Sequence, residues 1–233
     1  LNPSESRQLL LDLALEQIPT LENFVPGDNN LELVARLRGM AEPSSFDAVY
    51  LWGPAGCGRS HLLAAVAGLA DGKRPCRLLH GGEIEYDLAI APGGLLIIDD
   101  VEELGEAAQG AVFRTFNAAR LAGLSILLAG SQPPVQLGLR EDLRTRIGQT
   151  LIYEVKALSD DEKSAALQRH ALMRGMRLDD GLLQYLLRRG RRDLPSLLAV
   201  IDALDQASLE RQRPATVPLL REIMQNPLPL DDQ

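Results

Sequence analysis

The chain has 233 residues, 45% of them hydrophobic, with a formal net charge of −8 and a pI near 5.0. That is enough apolar material for one large domain or two small ones, and the acidic balance excludes bulk attraction to a polyanion, which needs a basic face. Cys57 and Cys76 lack metal-ligand spacing and make no disulfide framework. No stretch has the length of a membrane span or the layout of a signal peptide, so the expected compartment is the cytoplasm.

Residues 1–20 read as a leader in which Leu9, Leu11 and Leu13 follow Gln8 at alternate positions. Alternation places the leucines on one side of an extended chain. Two readings stay open at this point: a first strand or strap across the domain, and a linear motif that docks in a partner's groove. A turn at 24–30 precedes a predicted helix over 31–38, and 48–52 is the first buried strand. A helix over 60–70 follows, then a short strand at 77–80 and a second apolar strand at 95–98 ending in Asp99 and Asp100. Next come a helix over 106–122, a strand at 124–130, a helix at 140–146 and a strand at 150–155. Strands apolar on both faces, alternating with helices, predict an α/β fold with a parallel sheet covered by helices on both sides.

The pattern changes at Ser159, where Ser159 and Glu162 form a capping box, serine with glutamate three residues on. Four helices are predicted beyond it, over 160–174, 179–189, 194–211 and 215–225, separated by Gly175, Gly190 and Pro214. The expected organisation is a leader over 1–20, an α/β domain over 21–157 and a small all-helical lid over 158–233.

Between the first strand and its helix stand Gly53, Pro54, Ala55, Gly56, Cys57, Gly58, Arg59, Ser60 and His61. The spacing is that of a phosphate-binding loop, with arginine in the usual place of lysine. Glycines let backbone N–H groups converge on phosphate oxygens, and the following helix points its positive end at them. Ser60 is placed to reach Mg2+, and Arg59 to reach the terminal phosphates. Asp99 and Asp100 fit a Walker B strand end, the first acid for the metal and the second for an attacking water. Ser131, at the tip of the next apolar strand, is a candidate for the γ-phosphate. Arg140, Arg144 and Arg146 share a helix near the end of the α/β domain, where an arginine can face a neighbour's nucleotide. His61, His80 and His170 have no partner at catalytic or metal spacing.

Together with the helical lid, these motifs resemble the AAA+ ATPases, and more narrowly the replication initiator DnaA and its shorter relatives. The narrower likeness rests on Phe24-Val25-Pro26-Gly27-Asp28-Asn29, Arg59-Ser60-His61-Leu62-Leu63, Gln132-Pro133-Pro134, Leu143-Arg144-Thr145-Arg146 and Leu158-Ser159-Asp160-Asp161-Glu162-Lys163. A leader of the form Gln8-Leu9-x-Leu11-x-Leu13, and a chain that stops after the lid, narrow it to the Hda family, regulatory inactivators of DnaA. That resemblance implies a leader bound to the DNA polymerase sliding clamp through Gln8, Leu9, Leu11 and Leu13. It implies ADP or ATP with Mg2+, contacted by Val25, the loop from Gly53 to His61, and Ser131. Arg146 would be an arginine finger acting in trans on ATP held by DnaA. The implied partners are DnaA and the clamp, with DNA reached only through the clamp, no membrane, and a homo-oligomer possible. The implied intrinsic ATPase activity is weak at most, in a bacterial cytoplasm.

Overall fold

The structure, a computed structural model, describes residues 19–22, 24–25, 30–85, 88–190 and 193–225. The leader residues Gln8, Leu9, Leu11 and Leu13 lie outside these. The chain divides into an α/β unit, Ile18–Ala157, and a unit that includes the helices from Leu158 onward.

In the α/β unit the described elements run α1 (Leu31–Met40), β1 (Ala48–Trp52), α2 (Arg59–Ala70), β2 (Cys76–His80), β3 (Leu95–Asp99), α3 (Glu106–Ala122), β4 (Ser125–Gly130), α4 (Glu141–Gly148) and β5 (Leu151–Glu154). The five strands are parallel, in the order β2-β3-β4-β1-β5. Strand alternation sorts each strand's side chains onto two faces. Val49, Leu51, Leu95, Ile97, Leu127 and Ala129 pack with Leu33 and Leu37 of α1 and Leu62, Leu63 and Val66 of α2. Tyr50, Leu96, Ile98, Ile126 and Leu128 pack with Ala111 and Val112 of α3 and Leu143 and Ile147 of α4. Burial on both faces explains why these strands read as continuous apolar runs.

The amino ends of three strands are tied by one side chain. Arg74 is 7% exposed. Its guanidinium donates to the carbonyls of Gly93 (2.6 and 2.9 Å), Gly94 (2.8 Å), Met40 (3.0 Å), Glu42 (3.0 Å) and Ser45 (3.3 Å). It also reaches the Ser125 hydroxyl at 3.2 Å. A buried cation must be hydrogen-bonded throughout, and here backbone dipoles take the place of a counter-ion.

The helical unit contains α5 (Asp160–Met173), α6 (Asp180–Arg189), α7 (Leu194–Arg211) and α8 (Val217–Gln225). Three of them start on side-chain caps: Ser159 with the reciprocal Glu162, Asp179 on the Leu182 N–H, and Asp193 on the Ser196 N–H. Leu167, Leu182, Leu186, Leu197, Ile201, Leu204 and Leu220 form its core. Element boundaries differ from the sequence expectation by one or two residues. α1 runs on to Met40, and Asp99 lies within β3 rather than beyond it.

Candidate functional site

A parallel sheet gathers the carboxyl ends of its strands on one side, and the motif residues of β1, β3 and β4 meet there. Gly53 follows β1 directly. A Cβ built on it would lie 2.3 Å from the Val155 carbonyl oxygen and 2.9 Å from Cys57 Sγ, so only glycine fits without displacement. Gly56 and Gly58 adopt φ of 75° and 101°, the left-handed region that glycine enters freely. Gly58 is the residue before α2, whose first turn carries no acid of its own to offset the positive end of the helix. Pro54, Ala55, Gly56 and Ser60 are exposed, while Cys57 is buried and its thiol is pushed up by that burial.

The segment before α1 closes against this loop. The Phe24 ring lies where a Gly58 side chain would be, with 2.8 Å from a built Cβ to the ring. Phe24 also tilts against His61 at 5.9 Å between centroids, and His61 Nε2 is 3.0 Å from the Thr20 carbonyl. Val25, next in the chain, is half-buried.

Arg59 is 11% exposed in its side chain, and its Nη2 lies 3.5 Å from Asp100 Oδ1. Its Nη1 is buried and has no hydrogen-bond partner among the described residues. A buried guanidinium N–H left open beside a loop with two left-handed glycines fits an anionic oxygen. Asp99, 9% exposed, ends β3 and accepts the Asp100 N–H at 3.0 Å. Asp100 itself takes φ 47° and ψ 60°, left-handed for a residue with a side chain. Gly81 packs under it, since a Cβ there would come 2.3 Å from the Asp100 carbonyl oxygen.

His80 is where the sequence reading needs correction. It ends β2, opposite Asp99 in the ladder, and its Nε2 lies 3.1 Å from Asp100 Oδ2. Its Nδ1 accepts from the Gly82 N–H at 3.4 Å and lies 3.5 Å from Glu103 Oε2. His61 has the partners given above, and His170 of α5 pairs with Asp202 of α7 at 2.5 Å. The Thr20, Asp100 and Asp202 partners lie 20 or more residues away in sequence, so chain spacing gives no sign of them.

Ser131 follows β4, is exposed, and donates its backbone N–H to Glu102 Oε1 at 2.9 Å. Partial burial opposes ionisation of Glu102. Hydrogen bonds from Ser131 and from its own backbone, with the Arg59 charge, nonetheless hold the carboxyl below its ordinary range. Tyr50 donates to the Gln132 carbonyl at 2.6 Å, and burial, reinforced by the Glu102 charge, pushes its phenol well up. Glu102 and Tyr50 escaped the sequence reading, the first because it follows the acid pair, the second because it looks like core.

Arg146 belongs to a different surface. It is exposed on α4, donating Nη2 to Asn117 Oδ1 of α3 at 2.7 Å and lying 3.5 Å from Gln149 Oε1. It lines an open cleft of about 840 Å³ with Phe113, Arg140, Asp142 and Thr145. Arg140 is paired with Asp142 at 2.8 Å, whereas the partners of Arg146 are neutral amides.

Residues 160–224 match the family model described as the Hda lid domain. Among solved structures, domain III of Thermotoga maritima DnaA is 17% identical with a TM-score of 0.71, covering 90% of this chain and 97% of that one. AMPPCP-bound DnaA from Aquifex aeolicus is 21% identical with a TM-score of 0.65, covering 84% and 69%. A variant of Thermotoga maritima RuvB is 15% identical with a TM-score of 0.69, covering 91% and 72%. At these identities the structural likeness establishes the AAA+ fold: a parallel α/β sheet followed by a helical lid. The chain thus joins a helical segment matched by the Hda lid model to an α/β unit with the fold of the DnaA and RuvB structures.

Proposed function

We propose that this chain is a nucleotide-binding regulator that, tethered to the DNA polymerase sliding clamp, stimulates ATP hydrolysis by DnaA in trans and so restrains replication initiation. The observation that carries the reading is the placement of Arg146. It is exposed and, among the described residues, held by the neutral amides of Asn117 and Gln149, so its charge is free to meet another protein's phosphates. An arginine supplied in trans can raise phosphoryl-transfer rates by ~10³–10⁵, enough for a switch.

The chain's own nucleotide, ADP in this reading, would lie on the backbone N–H groups from Gly53 to Ser60, with Arg59 at the phosphates. Val25 and His61 stand beside that loop, and Ser131 is the candidate at the far end. Ser60 and Asp99 are the residues that would hold Mg2+, which would neutralise phosphate charge when bound. Asp100 has Arg59 at one oxygen and His80 at the other, which favours anchoring over rapid turnover. The leader residues Gln8, Leu9, Leu11 and Leu13 are assigned to the clamp and would bring the protein to DNA indirectly. Among the described residues no helix is long and apolar enough to cross a membrane; a bacterial cytoplasmic setting is part of the proposal, as is self-association through the Arg146 face.

The test is reconstitution: DnaA loaded with ATP, clamp loaded on DNA, and this protein. DnaA-dependent hydrolysis should rise with the wild type and fall by about 10³ or more with Arg146→Ala, which should still bind nucleotide and clamp. No stimulation at saturating clamp refutes the reading. A second reading, a self-acting AAA+ ATPase such as a helicase loader, is favoured by the retained Asp99–Asp100 pair. It predicts robust clamp-independent turnover that Asp100→Asn abolishes.

A further inference from the structure

The cation of the phosphate loop is an arginine, and its placement does something a lysine could not. A guanidinium is a rigid planar fork whose separate N–H edges can serve two acceptors at once; an ammonium is a single compact charge. In Arg59, Nη2 faces Asp100 Oδ1 at 3.5 Å while Nη1 stays buried and, among the described residues, unpartnered. The second Asp100 oxygen faces His80 Nε2 at 3.1 Å. The left-handed backbone of Asp100, with Gly81 packed under its carbonyl, fixes the carboxylate from below. To polarise or deprotonate water, a carboxylate needs a free oxygen. A contact with a fixed cation occupies it.

We propose that Arg59 is a positioning residue that keeps Asp100 paired and thereby restrains nucleotide hydrolysis in cis, while its other edge remains for phosphate. The proposal rests on the nucleotide-binding reading above. It makes the arginine a determinant of holding nucleotide without consuming it. A lysine at the same place would go to the phosphates and release one oxygen of Asp100 to the water.

The experiment uses the full chain as wild type, Arg59→Lys, Asp100→Asn and the double variant. Nucleotide affinity is read with fluorescent ADP and ATP analogues, by energy transfer from Trp52, the single tryptophan. Single-turnover hydrolysis of ATP with Mg2+ is then measured at saturating occupancy, with no DnaA, clamp or DNA present. The expected result is a rise of at least about tenfold in the Arg59→Lys rate, below the ~10²–10⁴ of a full acid–base contribution. The rise should be absent from the double variant. Because occupancy is saturated, the change falls in the chemical step and not in binding. An Arg59→Lys rate at or below wild type, a gain that survives Asp100→Asn, or loss of nucleotide binding by Arg59→Lys each overturns the proposal. Failure of the wild type to bind either nucleotide is a different result: it sinks the nucleotide-binding reading, and this proposal with it.

Discussion

Gly53→Ala tests whether the phosphate loop is held by the end of β5. A methyl at this position would lie 2.3 Å from the Val155 carbonyl oxygen, and that oxygen belongs to backbone. Close C–H···O contacts begin at roughly 3.3 Å, so loop and strand end must separate by about 1 Å. The Val155 N–H donates to the Trp52 carbonyl at 2.7 Å, directly before Gly53, so separation strains that rung as well. Overpacking costs about 1–3 kcal/mol and a lost backbone hydrogen bond about 0.5–1.5, which together predict a loss of about 2–4 kcal/mol. Urea denaturation followed by Trp52 fluorescence reads this beside the mutation, and affinity for a fluorescent ADP analogue should fall in the same protein. Gly39→Ala is the control: nothing lies within 4 Å of its Cβ, on helix α1. Removing that helical glycine should stabilise by about 0.5–1 kcal/mol. A Gly53→Ala protein within about 0.5 kcal/mol of wild type, with unchanged nucleotide affinity, would refute the reasoning.

Two further outcomes follow from other contacts. Arg74→Met strips the carbonyls of Gly93 and Met40 of their guanidinium donor. At about 1–3 kcal/mol for each acceptor left unpaired, the unfolding free energy should drop by about 2–6 kcal/mol, and an unmoved urea midpoint would contradict it. The folded-state pKa of Glu102 lies below its ordinary value. The stability it contributes is therefore complete above the unfolded carboxylate pKa of about 4.3 and lost as pH falls through the folded value. Glu102→Gln should flatten the acid limb of the stability–pH curve, measured by urea midpoints between about pH 3 and 6; a curve parallel to wild type argues against the Ser131 contact.

Much of the fold could be read locally. The loop from Gly53 to Ser60, the acids ending β3 and the Ser159–Glu162 box each depend on residues a few positions apart, where steric and capping rules act directly. What stayed hidden depends on register. His80 meets Asp100 because β2 and β3 pair with His80 opposite Asp99, a fact fixed by the whole sheet. Tyr50 alternates with core residues and reads as one of them, yet its hydroxyl crosses to the Gln132 carbonyl 82 residues on. Arg74 sits in a polar turn after α2, where a charged residue suggests solvent, and is instead among the most buried polar groups described.

The Arg74 contacts also divide the sheet mechanically. They pin segments that lead into β1, β3 and β4 at their amino ends, while the motif residues occupy the opposite, carboxyl ends. Strands of five or six residues are only about 17–20 Å long, so the pinned end acts as an anchored root for a short, stiff comb. A ligand that draws the tips of these strands together cannot relieve the load by sliding them at the root. The displacement must appear in the loops at the tips, among them the turn carrying Glu102 and the segment beginning at Ser131.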